Sequence, residues 1–75
     1  MRWDSFKTGL DILDKYFHDK AGFHIGAEHD QFYVYKTDNP MSDPDATAMR
    51  ELGWFQEGAN DGDPYDPENG WSCFT

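Results

Sequence analysis

Between Trp3 and Phe17 the apolar residues Trp3, Phe6, Leu10, Leu13 and Phe17 recur at spacings of three, four, three and four, which places them on one face of a helix. Asp4 or Ser5 offers an N-cap, Asp11 stands four residues before Lys15 on the polar side, and Gly22 supplies a stop. The spacing predicts a helix over 5–19. Gly9 lies inside it, where glycine costs roughly 1 kcal/mol relative to alanine.

The period changes to two over "GFHIGAEHDQFYVYK", residues 22–36. Phe23, Ile25 and Ala27 alternate with His24, Gly26 and Glu28, and Phe32 and Val34 alternate with Tyr33 and Tyr35. With His29 and Asp30 as a two-residue turn, the opposed pairs are 28 with 31, 27 with 32, 26 with 33, 25 with 34 and 24 with 35. This register puts Ile25, Ala27, Phe32 and Val34 on one apolar face and leaves His24, Glu28, Gln31, Tyr33 and Tyr35 on the other, whereas a one-residue slip mixes every pair. The apolar face is expected to meet the helices, and the Tyr33 ring to cover the bare backbone at Gly26. The turn has no glycine, so a longer loop is the alternative.

Residues 37–44, "TDNPMSDP", form a turn-rich connection. Ser42 with Asp45 makes a weak capping box, Pro44 falls in a first helical turn, and Met41 can staple onto Ala46. Ala46, Met49 and Leu52 then give a short apolar stripe that Gly53 closes, a second helix of about ten residues. "WFQE" at 54–57 and "WSCFT" at 71–75 read as aromatic strands, with Trp54, Phe55, Trp71 and Phe74 as core. The order is helix, strand, strand, helix, strand, strand. The expected fold class is α+β, one domain over 1–75, with two short helices on one face of a small antiparallel sheet.

Composition sharpens this picture. The chain has 75 residues, few for a self-sufficient core, but thirteen aromatics supply large buried area without a staple. Cys73 is the single cysteine, which excludes an intrachain disulfide and suits a reducing compartment. Residues 1–6 lack the apolar run of a signal peptide and no stretch reaches membrane-spanning length, so a cytoplasmic location is expected.

The net charge of −9 is lopsided: residues 1–36 hold six acids and five bases, and residues 37–75 hold nine acids against Arg50. That argues against direct contact with nucleic acid or an anionic membrane, both of which need cations facing phosphate. It permits binding to a basic protein surface.

Candidate chemistry is thin. A zinc site needs about four converging ligands. His24 and His29 lie five apart across a strand and its turn with no paired cysteine, so a surface histidine and a turn histidine are the simpler reading, and no cofactor is expected. Glu28, His29 and Asp30 are consecutive and point different ways, no nucleophile elbow or phosphate loop is present, and the chain reads as noncatalytic. In the loop 58–70, Asp61, Asp63, Asp66 and Glu68 invite calcium, but Tyr65 occupies a ligand position of the EF-hand pattern and its turn glycine is missing. A solvated acidic loop is the simpler reading there. The sharper one takes Asp38, Asp43, Asp45, Glu51, Glu57, Asp61, Asp63, Asp66 and Glu68 as a carboxylate array that imitates a phosphate track and occupies a cationic groove. Tyr33, Tyr35 and Tyr65, on outer or loop positions, would supply aromatic contacts to a partner or to a second copy in a homodimer.

Ala27-Glu28-His29-Asp30 leading into an apolar strand, Leu52-Gly53-Trp54, and Trp71 with Phe74-Thr75 resemble a family of very small acidic proteins of bacteriophages and prophages, over about residues 22–75. That family carries no assigned activity, so the resemblance transfers no site. It implies an accessory protein that binds a host protein in the bacterial cytoplasm, with inhibition of a defence or nucleic-acid-handling complex, as anti-CRISPR proteins do, as the expected class. A metal-binding protein using His24 and His29, or a phage assembly protein, is the alternative.

Overall fold

The first amphipathic segment forms α1, Trp3–Asp14, in the computed structural model, which describes residues 1–22, 24–58 and 64–75. The helix starts and ends earlier than 5–19. Arg2, extended at φ −68° and ψ 147°, is the N-cap and gives no side-chain cap, while Asp4 sits in the first turn against the positive helix end and pairs with Arg2 at 2.9 Å. At the other end the Asp38 carboxylate accepts the N–H groups of His18 (2.7 Å) and Asp19 (3.1 Å), amides a helix through 19 would send to its own carbonyls. Lys15 does not pair with Asp11, which takes Lys7 at 3.4 Å; Lys15 reaches Asp45 of the second helix at 2.7 Å.

That second helix, α2, covers Asp43–Glu51. The Ser42 hydroxyl accepts the Asp45 N–H at 3.4 Å and Pro44 lies in the first turn, where a missing donor is harmless. The capping box is half made, because the Asp45 carboxylate turns to Lys15 and the Tyr16 hydroxyl. Gly53 ends the helix at φ +100°, with its N–H on Arg50 O and that of Trp54 on Met49 O, both at 3.0 Å, the paired bonds of a Schellman stop. Met41 and Ala46 are buried in one cluster, as the expected staple requires.

The link between Asp45, Lys15 and Tyr16 joins the two helices and has a pH signature. The hydrogen bond from Lys15, followed by that from Tyr16, holds the Asp45 carboxyl below its usual range. A lowered folded-state pKa stabilises above the unfolded carboxylate range, about 4, and the contribution is lost as pH falls through the folded value. Asp45→Asn is expected to cost about 1–2 kcal/mol at pH 7. In urea melts of both proteins at several pH values, the difference should persist down to the unfolded range and then shrink; a pH-independent difference would contradict the link.

The hairpin takes the predicted register. Strands β1 (Ile25–Glu28) and β2 (Gln31–Val34) pair antiparallel as 25 with 34, 26 with 33, 27 with 32 and 28 with 31, and Tyr35 N–H bonds His24 O at 2.8 Å. His29 and Asp30 make the turn, and no non-glycine residue among those described has positive φ. Strand β3 (Trp71–Phe74) pairs antiparallel on the other side of β2, so the sheet order is β1-β2-β3.

The strand expected at 54–57 is instead one bridge, Phe55 with Ser72, closed by bonds of 2.9 and 2.7 Å. Gln56 is buried, and its side chain takes Asp66 O, Asn69 O and the Asp66 N–H, which draws the chain out of the ladder toward the returning loop. The element order is therefore helix, strand, strand, helix, strand.

Both helices lie on one face of the sheet, over Leu13, Val34, Met41, Ala46, Met49, Trp54, Trp71 and Cys73. Phe6 stacks on Trp54 with centroids 5.8 Å apart and meets Phe32 edge-on at 5.1 Å. Three residues expected in the core stay out of it. Ile25 (61% exposed) and Ala27 share the helix-side face but stay in solvent, because the helical layer covers β2 and β3 and stops short of β1. Phe74, 58% exposed, lies opposite Gln31 on the outer face and packs only on Phe55 among the rings. No helix of the described residues is long and apolar enough to cross a membrane.

Candidate functional site

The face of the sheet turned away from the helices carries a concavity. Alternation along β2 puts Gln31, Tyr33 and Tyr35 there. Tyr33 has Gly26 on one flank and Ser72 on the other, and the trough lies on the Ser72 side of the ring. The ring leans over Gly26, where a Cβ would stand 2.6 Å from Cζ, confirming the expected cover. At Gly70 a Cβ would run into Val34 O and lie 2.9 Å from the Tyr35 carbonyl carbon, so the chain enters β3 flush against β2. The resulting groove measures about 570 Å³, within the range of ligand-sized pockets.

Its rim is acidic. Glu28 stands opposite Gln31, Glu57 arrives from the chain after α2 and accepts the Gln31 amide at 2.7 Å, and Glu68 comes from the returning loop. Lys36, 3.4 Å from Glu68 in an exposed pair, is the lysine of the lining, so three glutamates face one base. The neighbouring Tyr35 phenol foremost, then partial burial and the charges of Glu28 and Glu57, push the Tyr33 phenol above its usual range. Tyr33 and Tyr35 meet edge to face at 5.7 Å, and Tyr35 is half exposed. Phenol faces beside carboxylates attract a guanidinium or ammonium group through cation–π and charge-assisted hydrogen bonding. The lining offers no nucleophile held by a base.

Of the nine acids singled out in the sequence, Glu57 and Glu68 line this groove. Asp43 and Glu51 are exposed on α2. Asp38, Asp45 and Asp66 bind their own chain: Asp38 takes the amides of Asp19 and His18, which hold its carboxyl below the usual range, and Asp66 accepts the Glu68 N–H at 2.9 Å and the Asn69 amide at 3.1 Å. Asp61 and Asp63, and with them most of the calcium reading, lie outside the described residues.

Tyr33 and Tyr35 sit where expected; Tyr65 does not. It is half-buried, stacks on Trp71 at 6.0 Å with planes 10° apart, and its hydroxyl accepts the Met41 N–H at 3.0 Å.

His24 leaves Tyr35 and stacks on Phe17 at 4.2 Å, with Nε2 bonded to Asp19 O at 2.5 Å, while His29 is exposed at the turn. The two do not converge, and among the described residues no three histidine, cysteine or acidic side chains are placed to hold a metal. Cys73 has no exposed surface, and burial pushes its thiol up, which disfavours the reactive thiolate.

Glu28, Gln31 and Lys36 were not singled out from the sequence. The hairpin register already placed Glu28 and Gln31 together on the outer face, which was the available signal. Compared with family models, with curated proteins and with solved structures, the chain matches none.

Proposed function

We propose that this chain is a noncatalytic protein-binding protein that receives a basic surface of its partner in the outer groove, with an arginine or lysine seated over Tyr33 and Tyr35 between Glu28, Glu57 and Glu68. The observation that carries the reading is the coincidence of an aromatic floor with an acidic rim in one concavity. Charge balance supports it. Five of the six bases, Arg2, Lys7, Lys15, Lys20 and Lys36, are each paired with an acid, and fifteen acids against six bases leave an excess of nine carboxylates even with Arg50 counted. The partner class that follows is a protein whose basic surface otherwise takes nucleic acid, since fixed carboxylates compete there with phosphate. The resemblance to small phage proteins narrows the proposal further, to inhibition of a host defence or nucleic-acid-handling complex.

The test compares three immobilised proteins in host-cell lysate: the natural chain, Glu28→Lys with Glu57→Lys, and, away from the groove, Asp43→Lys with Glu51→Lys. We expect a partner retained by the natural chain, released by salt and lost at least tenfold in the first variant, with the circular dichroism unchanged. Equal retention by the first variant overturns the groove reading; loss confined to the second moves the site to the acidic face of α2.

A further inference from the structure

We propose that two copies of this chain join through the free edge of β1, in an antiparallel register centred on Gly26, to make one continuous six-stranded sheet. The inference rests on the edge itself and is independent of what the groove binds. Because His24 O accepts the Tyr35 N–H, residues 24, 26 and 28 turn their backbone groups toward β2, and alternation turns those of Ile25 and Ala27 outward. β1 is the edge of the sheet, and no backbone hydrogen bond of the described residues reaches that side. Residues 24–28 contain no lysine or proline and run in regular register without a bulge, and Glu28 is the charge that the strand carries.

The edge is complementary to itself. Pairing about Gly26 sets Ile25 opposite Ala27 of the second copy and Ala27 opposite its Ile25, and both are residues whose outward N–H and C=O groups can be exchanged. The same register sets His24 opposite Glu28, so that no two acids stand opposite each other across the pair. Moving the centre to Ala27 would put Ile25 opposite His29 of the turn and leave it without an apolar partner.

The surface around the edge needs the same cover. Ile25 is 61% exposed and Trp3 76% exposed. Trp3 lies 6.4 Å from Phe6, Phe6 lies 5.1 Å from Phe32, and Phe32 is the residue opposite Ala27. Trp3 therefore extends the row of rings that starts at Phe32 on the helix side of the sheet. Large side chains left in solvent at an unpaired edge are the feature a second copy removes. The acids that would repel a like copy lie mostly in the second half, and Glu28 is the single acid of β1.

Sedimentation equilibrium of the full chain at physiological salt, up to on the order of 100 μM, reads the outcome. We expect twice the 8.7 kDa chain mass, reverting to one chain mass in Ile25→Lys, a substitution at an exposed position outside the groove lining. Hydrogen exchange of the natural chain supplies the second reading: the Ile25 and Ala27 amides should be protected at high concentration and lose at least tenfold of that protection on dilution. A single chain mass throughout overturns the proposal. So does a double mass with rapidly exchanging Ile25 and Ala27 amides, which would put the contact elsewhere.

Discussion

Trp54→Ala is expected to lower the stability by about 3–5 kcal/mol, the usual range for removing a buried indole, and to leave the chain largely unfolded at ambient temperature. Trp54 is 1% exposed and ties three elements together. Its ring stacks on Phe6 of α1, meets Phe32 of β2 edge to face at 6.4 Å, and sits directly after the stop of α2 with its N–H on Met49 O. The indole N–H also reaches Ser5 O at 3.4 Å. In a chain of 75 residues no other part of the core can replace that area, so the loss should be global. Urea titration followed by far-ultraviolet circular dichroism checks it: the midpoint should fall sharply or the native baseline disappear, and a shift equivalent to less than about 1 kcal/mol would contradict the packing described.

Gly9→Ala carries the second large effect, and its sign is the informative part. Helix propensity alone predicts a gain of roughly 1 kcal/mol for replacing a mid-helix glycine. Gly9 is buried against Trp54, however, and a Cβ there would overlap the indole, with Cε2 at 2.5 Å and Cζ2 at 2.9 Å. Overpacking against a rigid ring, itself held by Phe6 and Phe32, is expected to cost about 1–3 kcal/mol net. The same substitution in a Trp54→Phe background, where the ring is smaller, should cost less or stabilise. Chemical unfolding of the four proteins of this cycle measures the coupling. A stabilising Gly9→Ala in the natural chain would mean that α1 and Trp54 do not touch there.

Gly9 also marks the boundary of what the sequence could tell. As a sequence feature it only weakened a helix; its use as a slot for an indole 45 positions away depends on packing that no local pattern encodes. The hairpin was legible because its strict alternation allows one register without mixing faces, and Tyr33 over Gly26 followed directly from it. The ends of α1 were not. Asp38 and Asp45, twenty to thirty positions further on, decide where the helix stops and which acid Lys15 takes.

Face and cover proved to be separate questions. Period two assigned Ile25 and Ala27 to the helix side correctly, but whether a helical layer extends over β1 depends on its width, which the strand pattern does not contain. The groove divides in the same way. Its floor, Tyr33 and Tyr35, and one rim acid, Glu28, come from the hairpin, whereas Glu57 and Glu68 arrive through the Phe55 bridge and the Gln56 side chain's hold on the loop. Tyr65 stood among acids and prolines and read as a surface residue, yet it covers Trp71 from the loop side.

If charge and aromatic rings act together in the outer groove, amide chemical shifts of the isotope-labelled chain titrated with a short arginine-rich peptide will report it. Saturable changes are expected at Glu28, Gln31, Tyr33, Tyr35 and Glu57, weakened by salt and abolished in Glu28→Lys with Glu57→Lys. Changes spread over Asp43 and Glu51 of α2, with Tyr33 and Tyr35 unmoved, would show that the peptide follows net charge alone and would rule out the groove as the binding site.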